Sequence, residues 1–264
     1  VFVAIYELDE GDDIKDEKMW IKANPLVTTY PEGMNSLRSD LKMALAQPSK
    51  IRVFLIKNMN LGIDYKEDGY VEHSKWNRAE VDVSEVPSFL EGANFYVGID
   101  LSLSVDLTSI GWVAVKEGKF MVGQHSFMPS GKFKERMSRD KVRFDIFEQR
   151  GELTQTPGDV VDYHYVRQWV VDFCAKHNVI QIGYDRWNAS MLAQGLLNDG
   201  YPMVEIPQSL TQLSEPTKRF REYLYDDKIM HADDKLLKWA ISNAVLKSDQ
   251  QENEIGRASC RERV

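Results

Sequence analysis

The sequence predicts an α/β fold, a mixed sheet flanked by helices and preceded by a mainly helical linker region. Three observations point to it. Residues 94–115 read as a strand, a short polar turn and a second strand, with Phe95 to Ile99 apolar and β-favouring and Ile110 to Val115 returning. A third strand follows at Lys119–Phe127, and helix-like and strand-like stretches alternate from there. Before residue 90, apolar residues recur at helical spacing.

The bounds are those of an ordinary globular chain. With 264 residues, 43% hydrophobic and 28% charged, it has room for one large domain or a domain with an attached subdomain. No apolar run approaches the length of a membrane span, and no basic-then-apolar leader opens the chain, so no membrane partner is expected. The chain starts at Val1 with a strand-like stretch under way, and reads as a fragment whose N-terminus lies upstream. Two cysteines, Cys174 and Cys260, give neither a disulfide framework nor metal-knuckle spacing, which fits a reducing host cytoplasm. A net charge of -8 argues against a simple basic nucleic-acid coat.

Taken in order, residues 1–90 form the linker region. Phe2–Leu8 is strand-like, and Asp9–Asp16 is acidic and turn-like. Glu17–Ala23 is a short helix ended by Asn24-Pro25, because the residue before proline avoids helical geometry. Pro31–Gln47 is a helix with Leu37, Leu41, Ala44 and Leu45 on its apolar face. Pro48 starts another, striped by Ile51, Phe54, Leu55 and Met59. Asp64–Gly69 is loop, Ser74–Asn77 a short helix docked by Trp76, and Asp82–Glu91 a linker with Pro87.

Residues 91–253 form the second domain. After the third strand comes a basic segment with Lys132, Lys134, Arg136, Arg139, Lys141 and Arg143, which reads either as a grip on a DNA backbone or as a solvated helix face. A helix over Asp159–Lys176 buries Trp169, Val170 and Phe173. A strand at Val179–Tyr184, a helix at Ser190–Asp199 and a strand at Met203–Ile206 follow. Thr211–Tyr225 is helical, and Leu236, Leu237, Ala240, Ile241 and Ala244 stripe the last helix. Ahead of it lie His231, a weak ligand candidate, and Asp233, read as a helix cap. Residues 254–264 have no apolar period and no turn logic, and read as translated sequencing adapter rather than native chain.

Two acids stand out. Asp100 falls where the Phe95–Ile99 run ends, and Asp185 ends the Val179–Tyr184 run. Strand-end carboxylates in an α/β order suggest adjacent strands converging on Mg²⁺ or Mn²⁺, which take hard oxygen ligands. Each acid also has a bland role, Asp100 as a turn cap and Asp185 as a helix N-cap.

Val97-Gly98-Ile99-Asp100-Leu101-Ser102 with Asp106-Leu107-Thr108 resembles the opening strand of the nuclease domain in large terminase subunits of tailed phages. Ile182-Gly183-Tyr184-Asp185-Arg186 resembles that domain's second acidic strand, and Trp239–Val245 its late helix. Glu7–Asp13, Trp20–Pro25 and Phe54–Asn60 resemble the region joining motor to nuclease. The resemblance implies an RNase H-like fold and a metal-dependent endonuclease that cuts concatemeric double-stranded DNA during packaging. It implies catalytic and metal-holding roles for Asp100 and Asp185, with Asp100 bridging two Mg²⁺ or Mn²⁺ ions about 3.5–4 Å apart. Asp106 is then an additional ligand, an orienter of water, or a hairpin cap. The family takes a third acid from a late helix. Here residues 254–264 intervene before it, and Asp249 matches that motif poorly, so weak metal binding and poor activity are expected. No Gly-x-x-x-x-Gly-Lys-Ser/Thr loop is present, so ATP, the portal and the small terminase subunit are implied only for a parent protein carrying the motor. Two alternatives stay open: another RNase H-like enzyme of resolvase or integrase type, and a non-catalytic packaging module that binds DNA or portal.

Overall fold

The computed structural model of the chain describes residues 4–9, 11–46, 48–61, 69–102, 107–249 and 253–258. Its contacts separate two compact units, Val1–Glu67 and Asp68–Val264.

The first unit is helical. It contains α1 (Trp20–Ala23), a 3₁₀ turn (Val27–Thr29), α2 (Pro31–Ala46) and α3 (Pro48–Lys57). Leu37, Leu41 and Ala44 of α2 are buried with Leu8, Trp20, Ala23, Phe54 and Met59, so the helical spacing marks the packed face. Leu45, expected on that face, is 47% exposed, because it lies one position past Ala44 and a helix turns 100° per residue. The strand expected at Phe2–Leu8 does not form in its described part: residues 4–9 carry no regular structure. Their backbone is held by side chains instead, as where Asn60 Nδ2 donates to the carbonyls of Tyr6 and Ala23.

The second unit begins before the sequence boundary at 90–91. It opens with α4 (His73–Arg78) and α5 (Val86–Leu90). Trp76 of α4 is buried and stacks on the His231 ring with centroids 4.1 Å apart. Val86, Phe89 and Leu90 pack on Phe95, Ala114 and Met121. The stretch expected to be a linker is therefore part of this core.

Next come β1 (Asn94–Asp100), β2 (Thr108–Lys116) and β3 (Lys119–Pro129), paired antiparallel as a meander. Glu117 and Gly118 join β2 to β3 with φ of 51° and 74°. Positive φ at both positions makes the turn whose twist suits a tight hairpin. Then follow α6 (Ser130–Asp140), α7 (Phe144–Gln149), β4 (Leu153–Thr156), α8 (Tyr163–Lys176), β5 (Asn178–Tyr184), α9 (Arg186–Asn198), β6 (Met203–Glu205), α10 (Leu210–Tyr225), β7 (Ile229–His231) and α11 (Lys235–Ser242). The sheet order is β4-β3-β2-β1-β5-β6, with β7 also pairing along β3. β5, β6, β4 and β7 pair parallel to their neighbours, so the sheet is mixed, as expected.

β1 alternates exposed and buried residues throughout. Phe95, Val97 and Ile99 point to one face, where α8 and α9 supply Val166, Val170, Leu192 and Leu196. Tyr96, Gly98 and Asp100 point to the other. Over β2, β3 and β7 that second face is covered by Phe220 and Leu224 of α10 and Leu237 and Ile241 of α11.

A two-stranded hairpin of β8 (Ala244–Ser248) and β9 (Glu254–Ala258) completes the unit. Two expectations change here. Ala244 opens a strand rather than closing the last helix. Residues 254–258, expected to take no part in the fold, pair with β8, and Glu254 is bound by Arg221 at 2.7 Å.

Candidate metal centre

Asp100 is the last residue of β1, and Asp185 directly follows β5. The two strands are parallel neighbours with Gly98 opposite Gly183 and Ile99 opposite Tyr184. The next residues along the two strands are Asp100 and Asp185, so the acids follow the last paired positions at the same end of neighbouring strands. Asp100 is exposed and Asp185 half-buried. The two candidate acids are thus brought together. Asp106 lies outside the described residues.

The backbone after Asp100 is pinned. Leu101 is buried, the Ser102 N–H donates to Thr108 Oγ1 at 3.1 Å, and Tyr163 Oη–H donates to the Ser102 carbonyl at 3.1 Å. Below the acids the sheet carries three neighbouring glycines. Gly111, Gly98 and Gly183 lie side by side across β2, β1 and β5. A methyl group added at Gly98 or Gly111 would meet no atom within 4 Å, whereas one at Gly183 would run into the Ile206 side chain, so the open side is that of Asp100.

Across β2 and β3 the level of Asp100 continues through Ser109 and Ser126. The Ser109 and Ser126 hydroxyls lie 2.8 Å apart, and Ser126 donates to Gln124 Oε1 at 2.7 Å. Gln124 Nε2 donates to the Asp234 carboxylate at 3.0 and 3.2 Å and to the Glu152 carbonyl at 3.2 Å. Asp234 and Glu152 together cap α11: Asp234 accepts from the Leu237 N–H, and Glu152 from those of Lys235 and Leu236. Burial pushes the Asp234 carboxyl up from the ordinary aspartate range. The cap is therefore Asp234, one residue beyond the expected Asp233. This network was missed. Its only sequence signal is the polar stretch Gln124-His125-Ser126 interrupting a largely apolar strand.

His231 is 2% exposed, with Nδ1 and Nε2 each 2.8 Å from a backbone carbonyl, those of Ala232 and Trp76. Both ring nitrogens are occupied, which removes it as a ligand. Asp249 accepts from Asn253 in the β8–β9 turn. Among the described residues, no group of three or more His, Cys, Asp or Glu side chains is gathered to hold a metal.

The basic segment forms α6 and the turn after it. Lys132 pairs with Glu135, Arg136 and Arg139 with Asp140, and Arg143 with Asp145. Arg136 is 5% exposed and lies over the Phe144 ring. It is a packing residue, neither the DNA contact nor the solvated helix position that the sequence allowed for it. Asp140 is held below the ordinary carboxylate range by Arg139 and Arg136, so the segment's charge is largely met from within. Lys134 and Lys141 complete the expected set, with Lys141 in the left-handed turn that ends α6.

A family model described as "Terminase large subunit, endonuclease domain" matches residues 1–261. The chain belongs to this terminase endonuclease family. The terminase large subunit of Enterobacteria phage HK97 is 23% identical over 94% of the chain and 49% of its own length. Protein YmfN of Escherichia coli (strain K12) is 27% identical over 94% of the chain and 56% of its own length. The crystal structure of the HK97 bacteriophage large terminase is similar with a TM-score of 0.64 and 22% identity, over 96% of this chain and 52% of that one. The terminase nuclease chain therefore spans about half the length of these relatives. Its helix-flanked mixed sheet is the RNase H-like sheet of the family.

Proposed function

We propose that this terminase nuclease domain cuts double-stranded DNA by divalent-metal-dependent phosphodiester hydrolysis. The observation that carries the reading is the parallel pairing of β1 and β5, whose last partners, Ile99 and Tyr184, are directly followed by Asp100 and Asp185. Two hard carboxylates at one sheet end fit Mg²⁺ or Mn²⁺, which take one or two protein carboxylates and fill the remaining positions with water and phosphate. Two such ions are proposed, and Asp100 and Asp185 are the residues that would hold them. When bound, they supply charge neutralisation at the phosphate and a more acidic water.

The chain's own residues do the rest. Thr108 and Tyr163 hold the backbone after Asp100, so its carboxylate needs little reordering when substrate arrives. The open surface over Gly98 and Gly111 admits a phosphodiester backbone on the Asp100 side. In a parent protein the substrate would be concatemeric phage DNA in the host cytoplasm, with the portal, the small terminase subunit and an ATP-driven motor as partners.

The test is nicking of supercoiled plasmid in Mn²⁺ by this chain, with Mn²⁺ binding followed by calorimetry. Asp100→Ala and Asp185→Ala are each expected to lower the rate by at least about 100-fold while circular dichroism stays unchanged. Variants that cut as fast as the parent would reject the two-aspartate site. A folded parent that binds DNA but takes up no Mn²⁺ even at high concentration, and leaves no nicks after prolonged incubation, would favour the non-catalytic packaging module.

A further inference from the structure

The polar row beside Asp100 has a direction. Gln124 faces the two carboxylate oxygens of Asp234 and the Glu152 carbonyl. The carbonyl can only accept, and a carboxyl group keeps an acceptor oxygen in either protonation state. The side of Gln124 turned to them must therefore be its NH₂ group, which leaves Oε1 facing Ser126. Ser126 has one hydroxyl hydrogen, and it donates that hydrogen to Oε1 at 2.7 Å. Across the 2.8 Å contact with Ser109, Ser126 is left only as an acceptor, so Ser109 is the donor. The hydrogens run from Ser109 to Ser126 to Gln124 to Asp234.

Ser109 stands in register with Asp100 on the neighbouring strand and on the same face. Cross-strand partners of this kind have Cβ atoms about 4.5–5.5 Å apart. The Ser109 hydroxyl hydrogen is spent on Ser126, so Ser109 offers the space beside Asp100 only lone pairs. Lone pairs do not bind a carboxylate. They do bind an O–H donor, and at an acidic hydrolytic site the donor at hand is water.

We infer that Ser109 is a water-positioning residue. Its Oγ accepts a hydrogen bond from the water beside Asp100, and Ser126, Gln124 and Asp234 keep its own hydrogen turned away. This rests on the nuclease reading above. No covalent step is added: the row orients a water and takes up no proton.

The experiment compares the parent with Ser109→Ala, Ser109→Thr and Ser126→Ala. Three quantities are read: nicking rate at saturating Mn²⁺, Mn²⁺ affinity by calorimetry, and water-proton relaxation of the Mn²⁺-loaded protein. Ser109→Ala removes the acceptor, and Ser126→Ala frees the Ser109 hydrogen to turn toward Asp100. Both are expected to slow nicking about fivefold to tenfold, as one hydrogen bond allows, with Mn²⁺ affinity within about threefold of the parent. Both should change the water relaxation. Ser109→Thr keeps the hydroxyl and should remain within about twofold of the parent in rate. Parental rate and relaxation in Ser109→Ala would overturn the inference, as would loss of Mn²⁺ binding in that variant, since Ser109 would then be a ligand or a structural support. A parent that neither binds Mn²⁺ nor nicks removes the nuclease reading and this inference with it. A parent that needs Asp100 but not Ser109 removes this inference alone.

Discussion

At the scale of single residues, His125 shows how burial turns a side chain into a pH sensor of the fold. It stacks on Trp169 with centroids 5.4 Å apart, and Nε2 lies 2.8 Å from Thr154 Oγ1. Burial holds its pKa below the ordinary 6.5, against a smaller opposing effect of a hydrogen bond to the Gly151 backbone. As pH falls, the unfolded chain takes up this proton first. The contribution to stability is thus complete above about pH 6.5 and declines as pH drops through that value toward the folded pKa. His125→Gln, which keeps a polar partner for Thr154, should flatten the fall in urea midpoint between about pH 7 and pH 5. Equal slopes in parent and variant would place the acid sensitivity elsewhere. Arg136 makes the complementary point. In the sequence it belongs to a basic cluster, yet helical periodicity carries its side chain inward over Phe144, and Asp140 one turn later meets its charge. Charge counted along a segment does not say which charges face water.

Secondary-structure elements were legible in proportion to their length and period. β1, β2, β3, α2, α8 and α10 repeat their pattern over seven residues or more, and each stands close to where the apolar spacing puts it. β4 and β7 have four and three residues, too few for an alternation to register. Both exist because β3 offers an edge for parallel pairing, at Ser126–Pro129 and at Phe120–Val122. α11 is held the same way, from a distance. Its first turn depends on Glu152, which is 8% exposed, accepts two of its N–H groups and pairs with Arg150 at 2.5 Å. Glu152→Ala would orphan both donors and should cost about 1–3 kcal/mol in urea unfolding. A change below about 0.5 kcal/mol would mean that Asp234 alone suffices as the cap.

On the scale of the whole molecule, the two compact units each close a core of their own. Trp20, Leu37, Leu41, Phe54 and Met59 anchor the first; the sheet and its helices anchor the second. A unit with a complete core unfolds as a cooperative block. Removing residues 1–67 should therefore delete one thermal transition and leave the other, seen by calorimetry, with its midpoint shifted by less than about 5 °C. Loss of both transitions would mean that the second unit depends on the first. The second unit reaches back past the expected boundary at 90–91, because Val86 and Phe89 carry no periodic signal that distinguishes a docked segment from a linker.

The sequence by itself determined the α/β class, the strand ends at which Asp100 and Asp185 stand, and the packed faces of the long helices. These follow from local spacing, since the periods of helix and strand are written into neighbouring residues. Only the tertiary structure decided the rest. It paired the strands that end in Asp100 and Asp185, buried Arg136, made Asp234 a cap, and linked Ser109, Ser126 and Gln124 in a row that starts beside Asp100. These residues come from separated stretches of chain. Strand register and the polarity of a hydrogen-bonded row arise when those stretches meet, and no short window of sequence contains them.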